Sequence, residues 1–157
     1  MKVLRTIFAA GLAVMALPLA AQQGATSNMD ILREKIKADR KVVVAANLEL
    51  TAAEGKNFWP IYDEYQKHLS DINARTLKLI EDYANEYNKG KMSNEAAREL
   101  LKRQLALEDE DAKLRRTYIS KAQRVLPDVK VARWAQIENK IRAAVKYDLA
   151  SSIPLAE

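Results

Sequence analysis

The stretch from Thr51 to Asn88, TAAEGKNFWPIYDEYQKHLSDINARTLKLIEDYANEYN, decides the fold. Thr51-x-x-Glu54 has capping-box spacing, in which each side chain satisfies the other residue's exposed backbone amide. Phe58, Tyr62, Tyr65, Leu69, Ile72, Leu79 and Tyr83 follow at steps of three, four or seven, the seam of one long amphipathic helix. Lys89-Gly90-Lys91 supplies a glycine stop after Asn88. Pro60 lies almost three turns inside, lacks an amide and crowds the carbonyl four residues back, so a kink is expected there.

Three further helices flank this one. The first is expected from about Asp30 to Ala46, with Ile31, Ile36, Val42 and Val43 as its apolar side. The third starts after Ser93 as cap and carries Leu100, Leu107, Leu114, Tyr118, Ala122 and Val125 on its core line to Leu126-Pro127. The fourth begins near Asp128, buries Trp134, Ile137, Ile141, Val145 and Leu149, and ends at Ser151-Ser152-Ile153-Pro154. No window alternates apolar and polar residues as a half-buried strand would. The fold class is therefore all-α: a long antiparallel helical hairpin with two shorter flanking helices. Two helices of about 35 residues reach ~50 Å each. Long amphipathic helices with few others to cover them leave a concave face open or bury it against a second subunit, and an elongated or curved homodimer with coiled-coil character is expected.

The beginning of the chain predicts where it works. Lys2 and Arg5 form a basic head, Ile7 to Leu19 runs without a charge, and Ala20-Ala21 offers small residues to a signal peptidase. That order reads as a secretory signal peptide over residues 1–21, and the apolar run falls short of the ~20 residues that span a bilayer. Residues 22–29 read as a polar, disordered linker and 30–157 as one helical domain. The expected location is the periplasm. The chain has no cysteine, which excludes disulfides, thiolate metal sites and a thiol nucleophile.

The formal charge of +5 falls by two when Lys2 and Arg5 leave, too little to imply nucleic acid. Its distribution says more. Ten Lys or Arg but only two acids, Asp128 and Glu138, lie between Lys113 and Lys146, directly after the acidic run Glu108 to Asp111. Asp111 falls on the apolar line between Leu107 and Leu114 and needs a partner, for which Arg115 is the nearest candidate. The basic stretch reads first as a solvated face, then as a contact for anionic membrane surfaces, then as an attractor of acidic polypeptide.

His68 is the single histidine, and Glu64, His68 and Asp71 share one helix face. One imidazole with two carboxylates is a poor zinc set, so these three are weak metal candidates. Nothing resembles a phosphate-binding loop, a nucleophile elbow or a metallohydrolase helix, and neither an enzyme nor a cofactor is expected.

The chain also resembles itself at an offset of 76, with Leu50, Phe58 and Ile61 falling on Leu126, Trp134 and Ile137. Two equivalent helix starts are expected to act as wedges from opposite ends of a bundle. Leu48-x-Leu50-Thr51-x-x-Glu54 resembles the LTxxQ motif of the Spy/CpxP family of periplasmic proteins, and Leu126-Pro127-x-x-Lys130 sits where that family has its second copy. The chain has Glu54 for one motif glutamine and Lys130 for the other. Phe58-Trp59-Pro60-x-Tyr62 also looks like a group of exported proteobacterial proteins with no assigned activity. The resemblance implies a hooked helical hairpin whose dimer binds unfolded polypeptides without ATP. The alternatives are an adaptor or regulator on a folded envelope partner such as a sensor domain, or a metal-responsive sensor of the same fold. The expected binding face combines Phe58, Trp59, Tyr62 and Trp134 with Lys130, Arg133, Lys140 and Arg142, with Leu50, Thr51 and Glu54 as the motif.

Overall fold

A computed structural model describes residues 40–156. The expected signal peptide over 1–21, the linker over 22–29 and the helix start at Asp30 lie outside the described residues. Within them the chain is all-helical: α1 over 40–48, α2 Ala52–Tyr87, α3 Asn94–Ala122 and α4 Asp128–Ser152. Helix accounts for 85% of the chain described and no strand occurs there. No helix among the described residues is long and apolar enough to cross a membrane.

The caps explain the helix limits. Thr51 Oγ1 accepts from the Glu54 amide at 3.3 Å while Glu54 Oε2 accepts from the Thr51 amide at 2.7 Å, completing the capping box. α2 then runs uninterrupted through Pro60. Its cap residue Asn88 donates to the Ala84 carbonyl at 3.0 Å, and Gly90 turns the chain at φ 101°, where a side chain would strain the backbone. Ser93 Oγ accepts from the Ala96 amide at 3.1 Å and opens α3. The α3–α4 turn closes on the Ala122 carbonyl, which accepts from the Val125 and Leu126 amides.

Charged side chains fix the relation of the helices. Glu64 pairs with Lys121, Arg75 with Glu110 and Asp82 with Arg103, so residue numbers fall along α3 as they rise along α2 and the two run antiparallel. α4 follows α2 in the same direction: Lys130 meets Glu54 near both starts, and the Tyr83 hydroxyl donates to the Pro154 carbonyl beyond the other end of α4. The core sits between these starts, where Phe58, Tyr62, Tyr65 and Leu69 of α2 pack with Tyr118 and Ala122 of α3, Val131 and Trp134 of α4, and Val44 and Leu48 of α1. Phe58 and Trp134 meet edge to face at 5.3 Å, as do Tyr65 and Trp134 at 5.4 Å. Such pairs add about 0.5–1.5 kcal/mol each beyond the area they bury.

Three expectations are corrected. The apolar side of α1 is Val44 and Leu48 with the stem of Arg40, spaced by one helical turn, whereas Val42 is 67% exposed and Val43 is partly exposed. The repeat places its two helix starts side by side, not at opposite ends, since Glu54 and Lys130, themselves 76 residues apart, are bonded at 2.7 Å. α4 buries Val131, Trp134 and Glu138, while Ile137, Ile141, Val145 and Leu149 are not fully covered. The distal part of α3, from Asn94 to Glu110, contains no buried residue, and Leu101 and Leu105 stand 55% and 52% exposed.

Candidate binding groove and buried ion network

The start of α2 carries the motif and an open groove beside it. Glu49 precedes the motif at φ 48°, a left-handed conformation that L side chains rarely adopt. Two cations from α4 hold this turn: Lys130 Nζ donates to the Glu49 carbonyl at 2.9 Å and to Glu54 Oε2 at 2.7 Å, and Arg133 approaches the Asn47 carbonyl at 3.5 Å. The Lys130 ammonium, with the Thr51 amide, lowers the Glu54 carboxyl to about 2. The two positions at which the chain departs from the glutamines of the LTxxQ motif are thus each other's ion-pair partners.

Leu50, Thr51, Lys56, Trp59, Pro60 and Asp63 line the groove along this turn. Gly55 leaves room for its floor, because a Cβ there would lie 3.3 Å from the Trp59 indole nitrogen. Trp59 keeps part of its ring open while packing edge to face on Phe58 at 5.2 Å and on Tyr62 at 5.5 Å. Lys41 of α1 reaches over the ring, its ammonium 5.2 Å from the centroid, and pairs with Asp63 at 2.6 Å. An apolar, aromatic floor under exposed charges suits a polypeptide side chain and its backbone dipoles.

A buried ion network joins all four helices. Arg40 of α1 pairs with Glu138 of α4 at 3.1 Å, and both are more than nine-tenths buried. Tyr65 and Gln66 of α2 donate to the same carboxylate at 3.3 and 3.4 Å. Arg142 donates to the Tyr65 oxygen at 2.8 Å and to Asp111 of α3 at 2.5 Å. Burial pushes the Glu138 carboxyl above its ordinary range, with Arg40 and Arg142 opposing, and it raises the Tyr62 and Tyr65 phenols as well.

The expected binding face is largely redistributed. Phe58, Tyr62 and Trp134 are 0, 1 and 2% exposed, so they form the core and cannot serve as a surface; only Trp59 of the four aromatics remains open. Of the four cations, Lys130 and Arg142 are held in close ion pairs within the chain, Arg133 is half exposed with a 3.8 Å approach to the exposed Glu49, and Lys140 is exposed without an ion pair among the described residues. Of the ten cations in the basic run, five (Arg115, Lys121, Lys130, Arg133 and Arg142) approach a carboxylate within the described residues. Asp111 takes Arg142 as its close partner, with Arg115 farther off at 3.6 Å. Glu64 is engaged by Lys121 at 2.7 Å, which lowers its carboxyl, and His68 faces the Tyr118 ring at 6.1 Å. Glu64, His68 and Asp71 do not converge, and no group of three ligating side chains forms among the described residues.

Sequence reasoning misses Arg40, Tyr65 and Glu138 as a linked set. The signal for Glu138 is its position on the stripe of Val131 and Trp134, the same interruption that marks Asp111. No family model, curated protein or solved structure matches the chain.

Proposed function

We propose that this is a non-enzymatic exported protein that binds unfolded or stress-exposed polypeptides, without ATP, in the groove between Leu50 and Asp63. The observation that carries this reading is the open Trp59 face beside the capped motif, an aromatic surface held rigid from below by the core and bordered by exposed charges. Rigid aromatic surface of this kind gives contact area at small entropic cost and tolerates many sequences. The resemblance of the motif to the Spy/CpxP family supports a chaperone or envelope-stress role, and the basic, apolar and small residues of 1–21 support work in the periplasm.

The test compares wild type with Trp59→Ala and with Lys56→Glu in suppressing aggregation of an unrelated denatured protein. Trp59→Ala is expected to lose most of the protection while retaining its helix signal, and Lys56→Glu to alter mainly the salt dependence. Full protection by Trp59→Ala would remove the groove from client binding. Unaltered client aggregation with wild type, together with capture of one folded envelope partner, would assign the groove to an adaptor.

A further inference from the structure

We propose that a cavity between α3 and α4 binds a small organic carboxylate, taking its charge on arginine and its apolar body against small side chains. The site is independent of the client groove, with which it shares no lining residue. Ala112, Arg115, Arg116 and Ile119 lie at steps of three, one and three and so share one face of α3, as Ala135 and Asn139 share one face of α4. Between them is a cavity of about 220 Å³, lined also by Tyr65 and Trp134. The methyl side chains at 112 and 135 leave space that larger residues would fill. Arg116 and Asn139 are exposed, so the cavity is reached from solvent on their side.

The donors decide the charge of the ligand. Arg115 Nε and Trp134 Nε1, on two residues that line the cavity, are buried without a hydrogen-bond partner among the described residues, and both groups can only donate. Trp134 leans towards Glu138, but Arg40, Tyr65 and Gln66 already engage that carboxylate. Arg115 has only Asp111, at 3.6 Å, which Arg142 holds more closely, and Arg116 makes no ion pair among the described residues. Over the cavity and the ion network that borders it, the guanidiniums of Arg40, Arg115, Arg116 and Arg142 therefore face only two carboxylates, Asp111 and Glu138. An anion offsets that surplus, and a carboxylate matches the planar fork of a guanidinium with two parallel hydrogen bonds. An inorganic ion would leave Ala112, Ile119, Ala135 and the Trp134 ring unused, whereas a compact hydrocarbon body lies against them. An apolar cavity of about 150 Å³ takes benzene, so the larger space here holds a six-membered ring and its carboxylate.

Cyclohexanecarboxylate is the probe, titrated at constant ionic strength into Trp59→Phe, in which Trp134 is the sole indole and its fluorescence reports the cavity. A saturable change is expected, with a Kd of ~1 mM or tighter. Cyclohexanecarboxamide, which keeps the shape without the charge, is expected to bind at least tenfold more weakly, and inorganic phosphate at equal concentration not to compete. In the same background, Arg115→Gln is expected to weaken the acid at least tenfold, and Ala135→Leu, which fills the cavity, to abolish its binding. Circular dichroism confirms that each variant keeps its helices, and the Arg115→Gln comparison decides alone if Ala135→Leu does not fold. The absence of a saturable response up to ~20 mM overturns the proposal. So does an amide that binds as tightly as the acid, phosphate that competes as well as the acid does, or binding indifferent to Arg115→Gln.

Discussion

Replacing Arg142 with Leu tests the buried network most severely. In the native chain the guanidinium lies 2.5 Å from Asp111 and 2.8 Å from the Tyr65 oxygen, with both charged side chains only 12% exposed. Its removal leaves Asp111 with Arg115 alone, at 3.6 Å. Stranding a buried charge in this way costs about 3–5 kcal/mol. For a domain of this size that lowers Tm by roughly 10–25 °C. Replacing both partners by Leu removes the stranded charge and is expected to recover most of the loss, with a coupling of at least ~2 kcal/mol. Arg142→Lys keeps the charge but loses the two-pronged geometry and falls between wild type and Arg142→Leu. Urea unfolding followed by circular dichroism reads all of these proteins. A cost below ~1 kcal/mol for Arg142→Leu would refute the reasoning. So would a double variant whose loss equals the sum of the two single losses.

Thr51→Ala is expected to destabilise by about 1 kcal/mol through the lost cap, read as a lower urea midpoint with an unchanged slope. Glu49→Gly is expected to raise stability by about 0.5–1 kcal/mol, because glycine occupies the φ 48° conformation without strain and the 3.8 Å contact to Arg133 is exposed. Glu54 is held at about 2 by Lys130 and the Thr51 amide, below its ordinary 4.5, so its contribution is complete above about 4.5 and is lost as pH falls towards 2. Glu54→Gln is expected to flatten that part of the acid unfolding curve, measured by urea midpoints between pH ~5 and ~2. Glu138 has the opposite sign, since its raised carboxyl takes up a proton more readily in the native chain, so the Glu54 slope is isolated by comparing wild type with Glu54→Gln alone.

The long helix is legible because its seam is made of large side chains at one period, and its ends because Thr51, Asn88 and Gly90 have local roles. What a single seam does not declare is which neighbour covers it. Phe58 and Tyr62 share their line with Tyr65, Leu69 and Ile72, which marks them as core, yet reading them together with the cations of α4 suggests a surface. The helical period is the stronger signal, and burial follows it. Asp111 and Glu138 are readable as interruptions of apolar stripes, but their partners come from other helices: Arg142 lies 31 residues beyond Asp111, and Arg40 lies on α1, at the far end of the described chain from Glu138. The repeat correctly pairs Leu50 with Leu126 and Phe58 with Trp134 as equivalents. Its direction is misread because sequence equivalence does not distinguish adjacent parallel helix starts from opposed ones.

The central claim is that the groove at the start of α2 holds unfolded polypeptide without nucleotide. Light scattering of a chemically denatured, unrelated protein diluted into buffer with this chain at near-stoichiometric ratio, and no ATP, tests it most directly. The account predicts suppressed aggregation with wild type and its return with Trp59→Ala. Aggregation proceeding at the same rate with and without the wild-type chain would contradict it.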